Sequence, residues 1–519
     1  MSVAKLSSLE PPIVKIEINS DFSLNETQKN ELKQVIDCEK ENCRFEASEL
    51  KEVRSAMHQA IKRFDARLFT KYEDGAPPYI VVSLFNSDTS RDMNRKFLSK
   101  EFPYCKFVLY KEGKDTAQAL QIISRILRNK PDAFVHAGNK DKRAITYQYI
   151  TIKYCEPSRL AAINSKLRGI KMGSFERVER PLFLGSLYGN KFTIVLRELN
   201  FQDQEGIRNA ISSLSQNGFI NYFGLQRFGH SLEASTSSIG KCILKDDFEA
   251  ALKIVLEPTL EDLPEIRKCK EDYKANPENL KQILSEIPRC LERDLLFGIS
   301  KHGRVADAFQ KLPRTSRMLY VHSYQSLIWN KVVSRRISTH GLKVLVGDLV
   351  MAKENLVKAG EKHSMDADES QNDWHESKKI ITVTEDSLEK YQLDQVLLPI
   401  PGHAILYPSN ECAQYYNDLF AEDSISSAMF KHRIKDFSLP GSYRNILVKP
   451  QDIAYEFVTY KDLNLTLVQT DIDLLNQVEA DGDSTDKSNL ALKISFSLPK
   501  SSYATMALRE ISSKIVTHS

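Results

Sequence analysis

The sequence is short of the signals that sort a chain quickly. Net charge is only +3 over 519 residues, too little to announce a polyanionic partner. Any nucleic-acid surface is therefore a local basic patch balanced by acidic regions elsewhere. No apolar run reaches the roughly 18 residues of a membrane span. The opening stretch MSVAKLSSLEPPIVKIEINSDF lacks the apolar core of a signal peptide and the arginines of a transit peptide. Cys38, Cys43, Cys105, Cys155, Cys242, Cys269, Cys290 and Cys412 contain no Cys-x-x-Cys pair, and no ligand spacing follows Cys38 and Cys43. That excludes a zinc-finger or disulfide framework and fits reduced thiols. The expected location is nucleus or cytoplasm, without a basic cluster to choose between them. A Gly-rich strand–helix nucleotide loop is missing too, which excludes a cofactor-dependent methyltransferase. Internal repeats are absent.

What is present is an ordinary globular composition, 41% hydrophobic and 27% charged, on a length that predicts two or three domains. Residues 1–95 form a polar N-terminal region, with a helix expected near 47–63 and a strand at 79–84 (YIVVSL). From Tyr104 the pattern sharpens. Lys106–Tyr110 reads as a strand, and Asp115 to Asn129 as a helix started by an Asp115/Gln118 capping box with Ala119, Leu120, Ile123, Ile126 and Leu127 on one face. Strands follow at 133–137 and 145–153, and Phe192, Ile194 and Leu196 alternate in another. A helix at 205–217 ends at Gly218.

Between about 240 and 435 the pattern is mainly helical, with helices at 246–256 and 319–337 and a polar surface loop at 360–378. Strands return at 444–449, 454–460 and 491–497, before a last helix at 503–515. Strands, a helical block and strands again indicate an α+β catalytic domain, its mixed or antiparallel central sheet completed by the C-terminus and interrupted by an inserted helical domain. The expected boundaries are 1–95, 96–240, 241–435 and 436–519.

Three segments stand out as chemistry. The run Gly138-Asn139-Lys140-Asp141-Lys142-Arg143-Ala144-Ile145-Thr146-Tyr147-Gln148 sets one carboxylate among three basic side chains on a Gly-led loop. An Asp there is ordinarily a turn residue, and the basic groups could keep it ionised, bind phosphate or simply be solvated. In Asn221-Tyr222-Phe223-Gly224-Leu225-Gln226-Arg227-Phe228-Gly229, periodicity alone makes Phe223 a core residue. Arg227 could meet a phosphate or brace the segment. In Leu498-Pro499-Lys500-Ser501-Ser502-Tyr503-Ala504-Thr505, Ser501 or Ser502 would cap the last helix. The helical run His322–Asn330 reads as packing, whereas Tyr443 and Arg444, where the chain re-enters the sheet domain, are expected to face RNA only on the family resemblance that follows.

Together these segments resemble the TruD family of RNA pseudouridine synthases in its longer eukaryotic form, from about Tyr104 to about Glu510. The resemblance implies cleavage of the N1–C1′ bond of uridine, rotation of the uracil and rejoining through C5, with no metal and no cofactor. It makes Asp141 the reactive carboxylate, at C1′ as nucleophile or C2′ as base, with Gly138, Lys140, Ala144, Thr146 and Gln148 matching its motif. It gives Asn221 a hydrogen bond near that Asp, and makes Phe223 and Tyr503 the two aromatic covers of the base. Gln226 and Arg227 belong to the same motif. His136 has no required role.

The implied partner is RNA, namely tRNA with mRNA or snRNA as further substrates, bound by a monomer. One family element departs: an N-terminal strand, basic-x-x-x-(S/E)-D-F-x-V-x-E, whose cation approaches the Asp. Lys15 and Ser20-Asp21-Phe22-Ser23-Leu24-Asn25-Glu26 match it with irregular upstream spacing, while LNETQKNELKQV (24–35) also reads as a helix. The second alignment is preferred, and it moves the expected cation to Lys140 or Arg227. It also leaves an alternative function, an RNA-binding protein or RNA chaperone of the same fold with reduced turnover.

Overall fold

A computed structural model describes residues 13–14, 24–37, 39–40, 42–48, 51–65, 68–73, 77–84, 102–229, 235–352, 380–477 and 489–516. The expected loop at 360–378 lies outside them, as do Lys15 and Ser20–Ser23 of the N-terminal strand candidate. The chain forms two compact units, Met1–Ser186 and Leu187–Ser519.

In the first unit, residues 24–36 follow the helical alignment. Asn25 Oδ1 accepts the Gln28 amide at 2.8 Å and Gln28 Oε1 accepts the Asn25 amide at 2.9 Å, starting a helix over Glu26–Ile36. Glu26 therefore opens a helix and not a strand. This helix and a second over Lys51–Phe64 accompany a sheet of β1 (Ile13–Val14), β2 (Asn42–Glu46), β3 (Leu68–Glu73) and β4 (Tyr79–Leu84), in the order β1-β2-β4-β3. Leu32, Val35, Phe45, Ile61, Ile80 and Val82 form its core.

A second, antiparallel sheet in this unit contains β5 (Tyr104–Glu112), β6 (Phe134–His136), β7 (Ile145–Lys153) and β8 (Ile170–Val178), ordered β6-β7-β5-β8. Alternation sends Cys105, Phe107 and Leu109 of β5 and Ile150 and Ile152 of β7 inward. There they share a core with Ala119, Leu120, Ile123 and Leu127 of the helix Thr116–Leu127. The expected Asp115/Gln118 capping box starts that helix.

The second unit holds β9 (Gly189–Leu199), β10 (Phe219–Ile220), β11 (Leu349–Met351), β12 (Ile380–Thr382), β13 (Val396–Ile400), β14 (Ser442–Asn445), β15 (Leu447–Val448), β16 (Gln451–Tyr460) and β17 (Asn489–Pro499). The C-terminal strand β17 pairs antiparallel with β9 and β16, completing a sheet begun some three hundred positions earlier in chain order. The helices Gln204–Asn217 and Ala504–Val516 share its core through Ile207, Ile211, Leu214, Ala507 and Ile511. Gly218, at φ 72°, ends the first of them as expected.

Phe219 of β10 faces Val448 of β15, so the chain leaves this strand pair and later returns to it. The described residues between the two strands are mainly helical. Among the described residues there, the longest helix, Arg314–His340, outruns the expected 319–337 at both ends, with Pro313 as its N-cap and Gly341, φ 71°, as its C-cap. The single strand expected at 444–449 is two short ones, because the chain changes partner at Ile446: β14 pairs with β13 and β15 with β10. Among the described residues no helix is long and apolar enough to cross a membrane, and no group of three or more His, Cys, Asp or Glu could hold a metal ion.

Candidate active site

In the first unit, the loop between β6 and β7 is fixed by its backbone. Gln148 Nε2 donates to Gly138 O at 3.0 Å, and Thr116 Oγ1 donates to Gln148 Oε1 at 2.8 Å. The same Thr116 oxygen accepts the Lys140 amide at 3.0 Å. From β5, Lys111 Nζ donates to Lys114 O at 2.7 Å, Lys140 O at 3.3 Å and Asp141 O at 2.7 Å. Lys111 is 0% exposed. Burial pushes its pKa down, opposed by the charges of Asp115 and Asp141, with Lys140 adding to the fall. Lys140 is half-buried, its pKa also pushed down by burial and held up by Asp141.

Asp141 itself is exposed, as are Lys142, Arg143 and Ala144, and no ion pair to Asp141 occurs among the described residues. The carbonyl of Ala144 accepts the Gly113 amide at 3.4 Å. Thr146 presents a buried hydroxyl oxygen with no hydrogen-bond partner, and His136 a buried Nδ1 in the same condition.

The second unit gathers Asn221, Phe223 and Tyr503 around one arginine. Arg444 is 5% exposed. It donates through Nε to Asn221 O (2.8 Å), through Nη2 to Asn221 Oδ1 (2.8 Å) and through Nη1 to Ser501 O (2.6 Å). Its guanidinium lies 4.0 Å from the centroid of the Phe223 ring. Arg444 therefore faces inward and braces the motif, contrary to the RNA-facing expectation. Burial lowers its pKa to about 10, with Tyr503 opposing and Arg227 adding to the shift, which leaves it charged at neutral pH.

Phe223 is 7% exposed, edge-on to Trp329 at 5.7 Å and to Tyr503 at 6.1 Å. Asn330, on the long helix, exchanges two hydrogen bonds with its backbone, at 2.9 Å and 3.0 Å. The helix that reads as packing thus also positions Phe223. The Asn221 side chain is buried, and its Nδ2 donates to Asn445 O at 3.2 Å.

Arg227 stands 5.7 Å from the Phe223 ring with its Nε buried and unpartnered, and Gln226 is exposed on the same turn. The expected serine cap of the last helix does not form at Ser502, whose Oγ is buried and unpartnered. Ser501, at φ 67°, turns its carbonyl to Arg444 instead.

Sequence reasoning passed over Lys111, Thr116, Asn330 and the bracing role of Arg444. For Lys111 a signal existed: Cys105, Phe107, Leu109 and Lys111 share one face of β5, so the alternation itself sends a lysine inward. Nothing local marks the others.

A family model described as tRNA pseudouridine synthase D (TruD) matches residues 88–511. The pseudouridylate synthase 7 homolog of Mus musculus is 36% identical over 469 residues, 89% of this chain and 67% of that protein. The multisubstrate pseudouridine synthase 7 of Schizosaccharomyces pombe is 34% identical over 421 residues, 78% of this chain and 62% of that protein. Among solved structures, the Methanosarcina mazei protein assigned as tRNA pseudouridine synthase D matches with a TM-score of 0.56 at 25% identity, over 79% of this chain and 88% of that one. Matches of this extent make the chain a pseudouridine synthase, an isomerase that modifies RNA. It belongs to the TruD family, and its α+β architecture is that family's.

Proposed function

We propose that the enzyme converts uridine to pseudouridine in tRNA and in further RNAs, mRNA and snRNA among them, with Asp141 as the reactive carboxylate. The observation that carries this reading is the anchored loop: the backbone of Gly138 to Asp141 is tied to Gln148, Thr116 and Lys111, while the Asp141 side chain is left exposed. A carboxylate held this way has a fixed origin and an open approach. That suits attack on C1′ or proton removal at C2′. Either breaks the N1–C1′ bond and leaves its electron pair on the uracil; C5 then bonds C1′ as the carboxylate departs or as C2′ regains its proton, and the base loses its C5 hydrogen and gains one at N1. Phe223 and Tyr503 cover the detached base, with Asn221 held beside them. Lys140 and Arg227 meet the RNA; the guanidinium of Arg227 makes no hydrogen bond or ion pair among the described residues. tRNA is favoured by the description of the matching family model and of the archaeal structure, and a wider substrate range by the name of the fission-yeast relative.

On this reading the protein acts as a monomer in the nucleus or cytoplasm. The free thiols of the seven described cysteines fit a reducing compartment.

Asp141→Asn tests the central assignment. In a single-turnover assay on unmodified bulk tRNA, pseudouridine formation is expected to vanish while RNA affinity and melting temperature stay near parental values. Retained turnover removes Asp141 from the mechanism. RNA binding without turnover in the parent protein favours the RNA-chaperone alternative.

A further inference from the structure

We propose that Lys111 is a positioning residue for this reaction, its buried ammonium fixing the loop backbone from which Asp141 acts. The inference rests on the assignment of Asp141 as the reactive carboxylate and adds a residue to that machinery.

A lysine is almost never fully buried unless it is paired, because desolvating an ammonium is expensive. Lys111 is 0% exposed, and what meets its charge is not a carboxylate but three backbone carbonyls, those of Lys114, Lys140 and Asp141. An ammonium has three protons, and each is directed at one of these oxygens. Two of the three belong to the loop, one of them to Asp141 itself.

The strand imposes this placement. Lys111 sits opposite Thr146 of β7 and Ile170 of β8, on the inward face with Cys105, Phe107 and Leu109. An apolar residue would satisfy the register equally well, and it would leave three carbonyls without a donor. The core gains nothing from a charge here; the loop does. Thr116 and Gln148 hold the loop at the Lys140 amide and at Gly138 O, so Lys111 supplies the last anchors before the exposed residues 142–144. The charged groups around the ammonium are Asp115 at the helix start, Lys140 and Asp141 on the loop, and Lys114, whose carbonyl it binds.

Misplacing a reacting group by about 1 Å can cost on the order of 100-fold in rate. Lys111→Met is therefore expected to lower the single-turnover rate on unmodified tRNA by about 100-fold while changing RNA affinity less than about 3-fold. Lys111→Arg keeps the charge but presents a planar fork in place of three tetrahedral protons, so its rate is expected to fall between Lys111→Met and the parent. Thr116→Val, which frees the Lys140 amide, is expected to slow turnover with affinity likewise retained.

Folded Lys111→Met protein with a parental rate overturns the proposal. So does a rate that falls only in parallel with RNA affinity or with the folded fraction. If Lys111→Met does not fold, Lys111→Arg decides: reduced rate with intact affinity supports the proposal, and a parental rate overturns it. Asp141→Asn in the same series separates the two readings. If it still turns over, the carboxylate assignment falls and this inference with it. An inactive Asp141→Asn beside a fully active Lys111→Met removes only this inference.

Discussion

At position 224 only a glycine leaves room for the ring of Tyr503. A Cβ built there would lie 2.8 Å from Tyr503 Cδ1, 3.3 Å from Cγ and 3.4 Å from Thr505 Oγ1. The backbone is not the reason, since Gly224 has φ −70°. The requirement is space between the residue after Phe223 and the ring that meets Phe223 edge-on. Gly224→Ala should displace Tyr503, at a stability cost of about 1–3 kcal/mol typical of overpacking. If Tyr503 covers the substrate base, turnover should fall about 10-fold or more, in line with one misplaced contact, while phosphate-driven RNA affinity holds. Parental turnover in this variant would detach the Tyr503 ring from the reaction. The reason for that glycine was illegible in the sequence, because the ring it makes room for comes from a segment far along the chain. The same holds for Phe223. NYFG shows an aromatic but not that Arg444, 223 positions from Asn221, covers its face. By contrast the anchored loop from Gly138 to Gln148, which carries the proposed carboxylate, lies in one contiguous run, and Lys111 could have been read from its inward register.

Elements whose ends are set by their own residues were read closely. The helix Thr116–Leu127 carries its capping box, Gln204–Asn217 its terminal glycine, and β7 keeps the full expected span Ile145–Lys153. Elements defined by distant partners were not: β14 and β15 look continuous in sequence and separate because their neighbours differ. Between β10 and β15, the helix Arg314–His340 is fastened by a fully buried pair. Arg336 Nη2 donates to Asp348 Oδ2 at 2.5 Å, both side chains being 0% exposed. Asp348 also accepts the Leu345 amide at 2.9 Å and Asn410 Nδ2 at 3.0 Å. Removing one partner strands the other charge in the core, so Asp348→Ala should cost about 3–5 kcal/mol. Urea denaturation followed by fluorescence of Trp329, which is buried in the same helix, should show the midpoint moving to lower urea. An unmoved midpoint would mean that Arg336 finds water or another acceptor once Asp348 is gone.

Over the whole molecule, buried imidazoles set the response to acid. His58 and His136 in the first unit, and His322 and His432 in the second, all have pKa values pushed below the ordinary histidine range, with burial the largest cause in each. Lys62 and Arg54 add to the effect at His58, and Arg227 and Arg314 at His322. The hydrogen bond to Gln325 opposes it at His322, and the charge of Asp246 opposes it at His432. These groups hold a proton less readily when folded than in the unfolded chain, where imidazole titrates near about 6.5. The unfolded state then binds more protons, so stability rises with pH across this window and is lost as pH falls from about 6.5 toward the folded-state values. Each such group can contribute up to about 1.4 kcal/mol of loss per pH unit below 6.5. Because both units carry two of these histidines, thermal melts followed by circular dichroism should shift to lower temperature throughout between pH 7.5 and pH 5.5. His322→Gln, which keeps a polar side chain but no titrating group, should lessen the shift in the second unit's transition. Melting temperatures that hold or rise on acidification would mean that these imidazoles accept protons within the folded protein.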